Sequence, residues 1–558
     1  MARIRISHDP ADLDETVLTV GRAAESTPQG HPDHAMFLHN LGIALMTRHF
    51  ASADEKDDEG SNPPDPERAL SALRRAARLT TAQTAVRLRS ARNWADLAMR
   101  LPRPDRAGAL ERRRPEDAVE LLEQGRAVLW GHVMRRRSDL TALRAADPAL
   151  SERLEQLRRA LDHPAPPSAA DRAALAGEFD VLVERVRELP GCADLFRPAP
   201  FARRCRAAEG GPVVIVNLGR LRCDALIVHG GRVDPLPLAT TVEEAEERAS
   251  AYLTAVSELE KAHGVRALAA EEAIGTVLAA LAHRRRARPA PPGALVRAGR
   301  RPALATGLVV PTGALSLLPL HTAGLGPYEH PGRSVPDRVV SSYTPTLAAL
   351  CRARRPSPPA GHGQGGMLLV SMGETPGARP LEGPGEEAAL LGARLDPPPL
   401  RLDGPRATRD AVRGLLPAHR WFHFSGHGTQ DLGDPTRGGL RLHDGLLTVH
   451  DLARLGAGPG AEPAFLSACQ TAVGGAQVPD EGIHLASALQ PAGYRHVVAA
   501  LWNVHDAPAA RLARAVYDRL ITGGSIAPAG ALHHAVRALR AERPYRPSVW
   551  APFLHAGL

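Results

Sequence analysis

Lysine is almost missing from these 558 residues: Lys56 and Lys261 stand alone, although Lys and Arg together number 69 against 61 Asp and Glu. The formal charge of +8 and the pI near 9.7 are therefore carried by arginine, in a chain rich in Ala, Gly and Pro. Aromatic residues reach only 4%. The basic runs Arg112-Arg113-Arg114, Arg135-Arg136-Arg137 and His283-Arg284-Arg285-Arg286 contain none of them, so the stacking platform of a single-strand nucleic-acid binder is absent. These runs read as solvated helix faces, and directly bound nucleic acid is not expected. Cysteine is also scarce. Cys192, Cys205, Cys223, Cys351 and Cys469 are odd in number and widely scattered, which excludes a disulfide framework and any cysteine-based metal spacing and fits a reducing, cytoplasmic compartment. Long apolar runs are missing as well. The longest uncharged run, Ala303 to Leu320, contains Pro311, Gly313 and Pro319, which suit strands and turns better than a membrane helix. The N-terminus turns acidic from Asp9 with no apolar core behind it, so neither a signal peptide nor a membrane partner is expected.

Two apolar stretches stand out. Trp421-Phe422-His423-Phe424-Ser425-Gly426-His427-Gly428 and Ala464-Phe465-Leu466-Ser467-Ala468-Cys469-Gln470-Thr471 each read as a buried parallel strand that breaks at a small residue beside a reactive one. In an open α/β sheet the crevice outside the carboxyl ends of the strands is where ligands bind. Two such exits carrying His427 and Cys469 point to a thiol nucleophile with an imidazole base. A thiol of ordinary pKa is only a few per cent thiolate at neutral pH and gains from a nearby imidazole. The separation of 42 positions (469 − 427) leaves room for one crossover between neighbouring parallel strands. Gly428 follows the base, where backbone without a side chain can approach a substrate. Its N–H and that of Cys469 form a candidate oxyanion cradle. No third carboxylate is evident; Asp431 and Asp434 read as loop residues. Zinc on His423 and His427 is disfavoured, because on a strand the two sit roughly 13 Å apart. No metal or cofactor is expected, and His423 reads as structural.

These stretches, followed by Val497-Val498-Ala499-Ala500-Leu501-Trp502-Asn503-Val504, resemble the CHAT domain of separase- and caspase-like cysteine peptidases, often joined to tetratricopeptide repeats. Tyr343-Thr344-Pro345-Thr346 and the closing Trp550-Ala551-Pro552-Phe553 are similar to that family too, and the resemblance spans roughly residues 210–558. It implies an α/β caspase-like three-layer domain with a mainly parallel sheet, made of a non-catalytic half (210–355) and a catalytic half (366–558). It supports His427 and Cys469 as the dyad, with Gly428 and Cys469 at the oxyanion. It further implies a substrate pocket near Trp502. Arginine-specific separases carry an acidic residue after that Trp, whereas Asn503 stands here; Asp506 or Asp480 could supply the charge. Asp480 is also placed to cap the helix that follows it. The resemblance implies a protein substrate. Catalytically idle scaffolding, and a basic nucleic-acid-binding regulator, are the alternatives.

Upstream, residues 1–162 read as helices. Asp12 to Ala24 matches Asp65 to Ala77 at an offset of 53, Asn40-Leu41 matches Asn93-Trp94, and Pro115-Glu116-Asp117-Ala118-Val119-Glu120-Leu121-Leu122 opens a third block in the same way. The period exceeds the usual tetratricopeptide length of about 34, and the insertion Asp54 to Pro66 accounts for part of the excess. A tetratricopeptide-like region stacks helix pairs and leaves a groove, so a protein or ligand activator is expected there. Residues 163–209 read as a linker and a helix. Beyond them the predicted elements are strands Pro212–Leu218, Cys223–Val228, Leu304–Pro311 and Met367–Met372 and helices Glu243–His263, Ala269–Arg284 and Glu386–Leu395. That alternation implies a mainly parallel sheet.

Overall fold

The computed structural model describes residues 10–28, 33–54, 65–79, 115–125, 140–161, 169–190, 199–219, 222–282, 305–324, 332–354, 366–431, 437–455, 461–468, 484–504, 506–522 and 526–558, together with His31, Ser90 and Cys192. The chain divides into two units, one of residues 1–113 with 134–199 and one of residues 114–133 with 200–558.

The first unit is helical among its described residues. Helices Pro10–Ser26, His34–Asp54 and Asp65–Arg78 bury small and branched side chains, Val17, Ala44, Leu45, Ala69 and Leu73 among them. The matched positions Val20 and Leu73 are both buried. Asp147-Pro148 separates helices Thr141–Ala146 and Pro148–Leu161, and the Asp147 carboxylate accepts the Leu150 N–H at 2.9 Å. The proline interrupts one run and starts the next. Asn93 and Trp94 lie outside the described residues.

The second unit is built on one sheet. In chain order its first strands are β1 (Val213–Leu218), β2 (Cys223–His229), β3 (Arg232–Pro237), β4 (Ala305–Pro311), β5 (Val339–Tyr343), β6 (Met367–Ser371), β7 (Leu400–Asp403) and β8 (Trp421–Gly426). Three short strands follow, β9 (Gly428–Thr429), β10 (Gly439–Leu442) and β11 (Gly445–Thr448), and form a separate sheet ordered β11-β10-β9. The main sheet is completed by β12 (Pro463–Ala468), β13 (His496–Ala500) and β14 (Phe553–Gly557), in the order β3-β2-β1-β4-β5-β14-β13-β12-β8-β6-β7. The strands from β13 through β7 run parallel. β14 is antiparallel to β13 and parallel to β5, so the closing strand of the chain joins the two halves of the sheet at its middle.

The mainly parallel, layered α/β architecture agrees with the sequence. The buried strands are near-continuous apolar runs: every residue of β6 and β13's last four are buried, as expected where helices cover both faces. On one face, helix Gly383–Arg394 and helix Asp506–Thr522 place Glu387 and Tyr517 against His423. On the other, Phe422 meets Tyr494 just past helix Leu485–Ala492, ring centroids 6.3 Å apart. Helix Val242–Lys261 starts where Thr241 accepts the Glu244 N–H at 3.1 Å, with Glu243 and Glu244 in its first turn and Lys261 in its last; the charges oppose the helix dipole at both ends.

The second unit also contains helix Pro115–Gly125, from within the stretch 1–162. Its Glu123 carboxylate accepts N–H groups of Leu347 (2.9 Å) and Ala348 (3.3 Å) at the start of helix Leu347–Ala353 and pairs with Arg204 at 3.0 Å. The family-like motifs at Tyr343 and Trp550 are structural. Thr346 caps helix Leu347–Ala353, and Trp550 lies under the Arg540 guanidinium, which pairs with Asp337.

Candidate active site

The site begins with a register. β8 and β12 are parallel neighbours, paired from Phe422 with Ala464 to Gly426 with Ala468. Both strands thus end level with each other at the carboxyl edge of the sheet. The exit at Gly426 has a steric cause. A Cβ there would lie 2.8 Å from the Cβ of Met372, and Met372 N–H itself donates to the Ser425 carbonyl at 2.8 Å. Only glycine lets the β6 and β8 exits approach so closely.

His427 sits at the junction where the chain leaves β8 for β9. Its carbonyl accepts the Arg441 N–H at 2.9 Å, which fixes the backbone. Its ring Nε2 lies 2.8 Å from the carbonyl oxygen of Arg379. A carbonyl can only accept, so Nε2 carries the proton and Nδ1 of the neutral ring is the basic nitrogen. Gly428 follows in β9, paired with Leu440. Cys469, next in sequence after Ala468, lies outside the described residues, as do Asp480 and Asp434.

Below the exits is a buried polar cluster. His423 Nε2 lies 2.7 Å from Glu387 Oε2, Ser467 donates to Glu387 Oε1 at 2.7 Å, and His423 Nδ1 lies 2.9 Å from the Tyr517 hydroxyl. Burial, with the Glu387 charge adding to it, raises the Tyr517 phenol well above its ordinary pKa, so it keeps its proton and donates to Nδ1. Nε2 then donates to the carboxylate. Both His423 nitrogens are engaged, and among the described residues no group of three or more His, Cys, Asp or Glu could hold a metal ion.

Trp502 and Asn503 follow β13 at the same edge. Trp502 is buried and meets Tyr252 of helix Val242–Lys261 edge-on, centroids 5.4 Å apart. Leu501 N–H donates to the Pro552 carbonyl at 2.9 Å, which ties in the closing motif. Asn503 is exposed and donates its side-chain N–H to Glu260; partial burial raises the Glu260 pKa against the lowering effect of that bond. Asp506 opens helix Asp506–Thr522, its side chain outside the described residues. The cap expected of Asp480 belongs to His484, which accepts the Ser487 N–H at 3.2 Å and so starts helix Leu485–Ala492.

Sequence reading missed Arg379, Glu387, Tyr517 and Glu260. A backbone carbonyl leaves no trace in residue identity. Glu387 did leave one: it shares the buried stripe of Pro384, Ala388 and Leu391, where a lone carboxylate must have a partner.

A family model described as the CHAT domain matches residues 240–558. No curated protein matches the sequence. Among solved structures, the chain is similar to the separase of the Saccharomyces cerevisiae separase–securin complex at 10% identity and a TM-score of 0.46, over 98% of this chain and 48% of that one. It is similar at 13% identity and a TM-score of 0.31 to Porphyromonas gingivalis RgpB in a complex of its pro- and mature domains, over 45% of this chain and 64% of that one. The chain thus spans about half the length of the separase chain it matches. Among the described residues no helix is long and apolar enough to cross a membrane.

Proposed function

The chain belongs to the CHAT domain family, and we propose that it is a cysteine endopeptidase in which Cys469 attacks and His427 is the base. The observation that carries this reading is the shared level of the two strand exits, with Gly426 and Ala468 paired immediately before His427 and Cys469.

The chemistry follows from that placement. His427 Nδ1 takes the thiol proton, and the thiolate sulfur attacks the scissile carbonyl carbon. Backbone N–H groups of Gly428 and Cys469 stabilise the developing oxyanion, an effect worth about 3–4 kcal/mol per donor. The imidazolium returns the proton to the departing amine, which leaves a thioester. Water, deprotonated by the same imidazole, hydrolyses it and restores the thiol. Throughout, Arg379 C=O holds Nε2–H, so the ring does not change tautomer.

In this reading the substrate is a protein, Trp502 and Asn503 border the pocket for the residue preceding the cut, and the enzyme acts in the cytoplasm. The helical unit is a tetratricopeptide-like docking region whose protein or ligand activator shifts an inactive ensemble toward an ordered site. A peptidyl acyloxymethyl ketone tests the catalytic proposal. It should label Cys469 covalently in the full chain and fail with His427→Ala. Equal labelling of Cys469→Ala would sink the assignment.

A further inference from the structure

We infer that Glu387 is a positioning residue for the thiol-bearing exit of β12, acting through Ser467; this rests on the peptidase reading above. Glu387 is 2% exposed and His423 is fully buried. A carboxylate taken out of water is costly unless its oxygens are paired, and here each oxygen has its own donor: His423 Nε2 on one and Ser467 Oγ on the other, both at 2.7 Å. His423 is anchored in turn by the Tyr517 hydroxyl at 2.9 Å and by the Phe465 ring, stacked at 5.3 Å. The cluster thus joins β8, β12 and two covering helices through directional bonds, where apolar side chains would have given only contact.

Its location gives it a second consequence. Strand alternation puts Phe465 and Ser467 on one face with His423. Ser467 is the last residue of that face within β12. The segment that supplies Glu387 also supplies the Arg379 carbonyl to His427. One stretch of chain, Arg379 through Glu387, therefore touches both strand exits: the base directly, and the thiol-bearing exit two residues upstream of Cys469. A carboxylate in this place sets the approach of the two reacting groups, without itself meeting substrate.

The test uses the full chain and a peptidyl acyloxymethyl ketone, with inactivation rate (kinact) and affinity (KI) measured separately. Ser467→Ala should lower kinact about tenfold or more with KI unchanged; it leaves one Glu387 oxygen without its donor, so the unfolding midpoint should fall while the protein stays folded, and Ser467→Thr, which keeps the hydroxyl on a strand-compatible residue, should restore both. Glu387→Gln, which offers one oxygen where two are used, should lower kinact at least as far. Wild-type kinact in Ser467→Ala would overturn the inference and leave the peptidase reading intact. A wild-type protein that the probe does not label at Cys469 would overturn both. Loss of fold in Glu387→Gln leaves the decision to Ser467→Ala, which removes a single hydroxyl.

Discussion

The imidazole of His427 donates from Nε2 to the main-chain carbonyl of Arg379 across 2.8 Å. In the proposed peptidase that bond would hold ring and tautomer as the carboxylate of a triad does, but with a neutral acceptor that no side-chain substitution can delete. His427→Ala and Cys469→Ala should each reduce peptide cleavage by about three orders of magnitude or more, and the double variant should be little worse because the pair acts as one unit. Arg379→Ala, by contrast, keeps the carbonyl and should cleave near the wild-type rate. Steady-state rates on one cleaved peptide decide this, and full activity in Cys469→Ala would end the dyad assignment.

The Glu123–Arg204 pair makes a stability prediction. Both side chains are buried, 3.0 Å apart, and Glu123 also accepts two N–H groups at the start of helix Leu347–Ala353. Removing one member of a buried pair leaves an uncompensated charge and typically costs about 3–5 kcal/mol. Glu123→Ala should therefore lower the urea midpoint strongly, and adding Arg204→Met should recover only the part due to the stranded charge, because the Leu347 and Ala348 N–H groups still lack their acceptor. A truncation that tests control by the helical unit should accordingly stop at residue 113. Deleting 1–162 removes Glu123 and confounds regulation with stability.

How far the sequence reached depends on whether the information was local. The elements whose residues carry it themselves, β2, β4, β6, β8, β12 and helix Val242–Lys261, were predicted within a few residues of where they stand. β14 was not foreseen, because Phe553–Gly557 becomes a strand only through pairing with β13, more than fifty positions earlier. β9 to β11 were missed for a similar reason: a two-residue strand at Gly428 and four-residue strands starting at Gly439 and Gly445 carry no alternation to read. The strand exit before His427 was legible from its flanking glycines, whereas the Arg379 carbonyl beside its ring and the Glu260 partner of Asn503 lie at distances in sequence that no spacing reveals.

Buried His321 should contribute to the acid limb of stability. His321 hydrogen-bonds with the Tyr343 hydroxyl at 3.0 Å, and burial lowers its pKa from 6.5 to about 4. Between those values the unfolded chain binds a proton that the folded chain refuses, so stability falls as pH drops through that window and the full loss is reached below about 4. One such histidine accounts for roughly 3 kcal/mol at about 1.4 kcal/mol per pH unit. His321→Asn should flatten the limb by an amount of that order. Urea midpoints at pH 4.5, 5.5, 6.5 and 7.5 measure it, and an unchanged slope would mean that His321 is solvated in solution.

In the proposed peptidase, Asn503 borders the pocket for the residue before the cut and brings an amide where a carboxylate would favour arginine. An amide brings no charge and accepts at one oxygen, so it cannot give a guanidinium the charged, two-point contact of a carboxylate. Yet Asn503 is not alone, since its side-chain N–H is held by Glu260 from helix Val242–Lys261. That carboxylate is partly solvated and shared with the amide, so it should give only a weak preference for arginine before the cut. Asn503→Asp should strengthen the preference, and the neighbouring Glu260 should limit the gain, because two adjacent carboxylates resist ionising together. The arginine-to-leucine ratio of kcat/KM should therefore rise about tenfold, or 1.4 kcal/mol, in Asn503→Asp with Glu260→Gln, and by less in Asn503→Asp alone. A peptide library measures both ratios. Strict arginine preference in the wild type, unmoved by either substitution, would place the pocket away from Asn503.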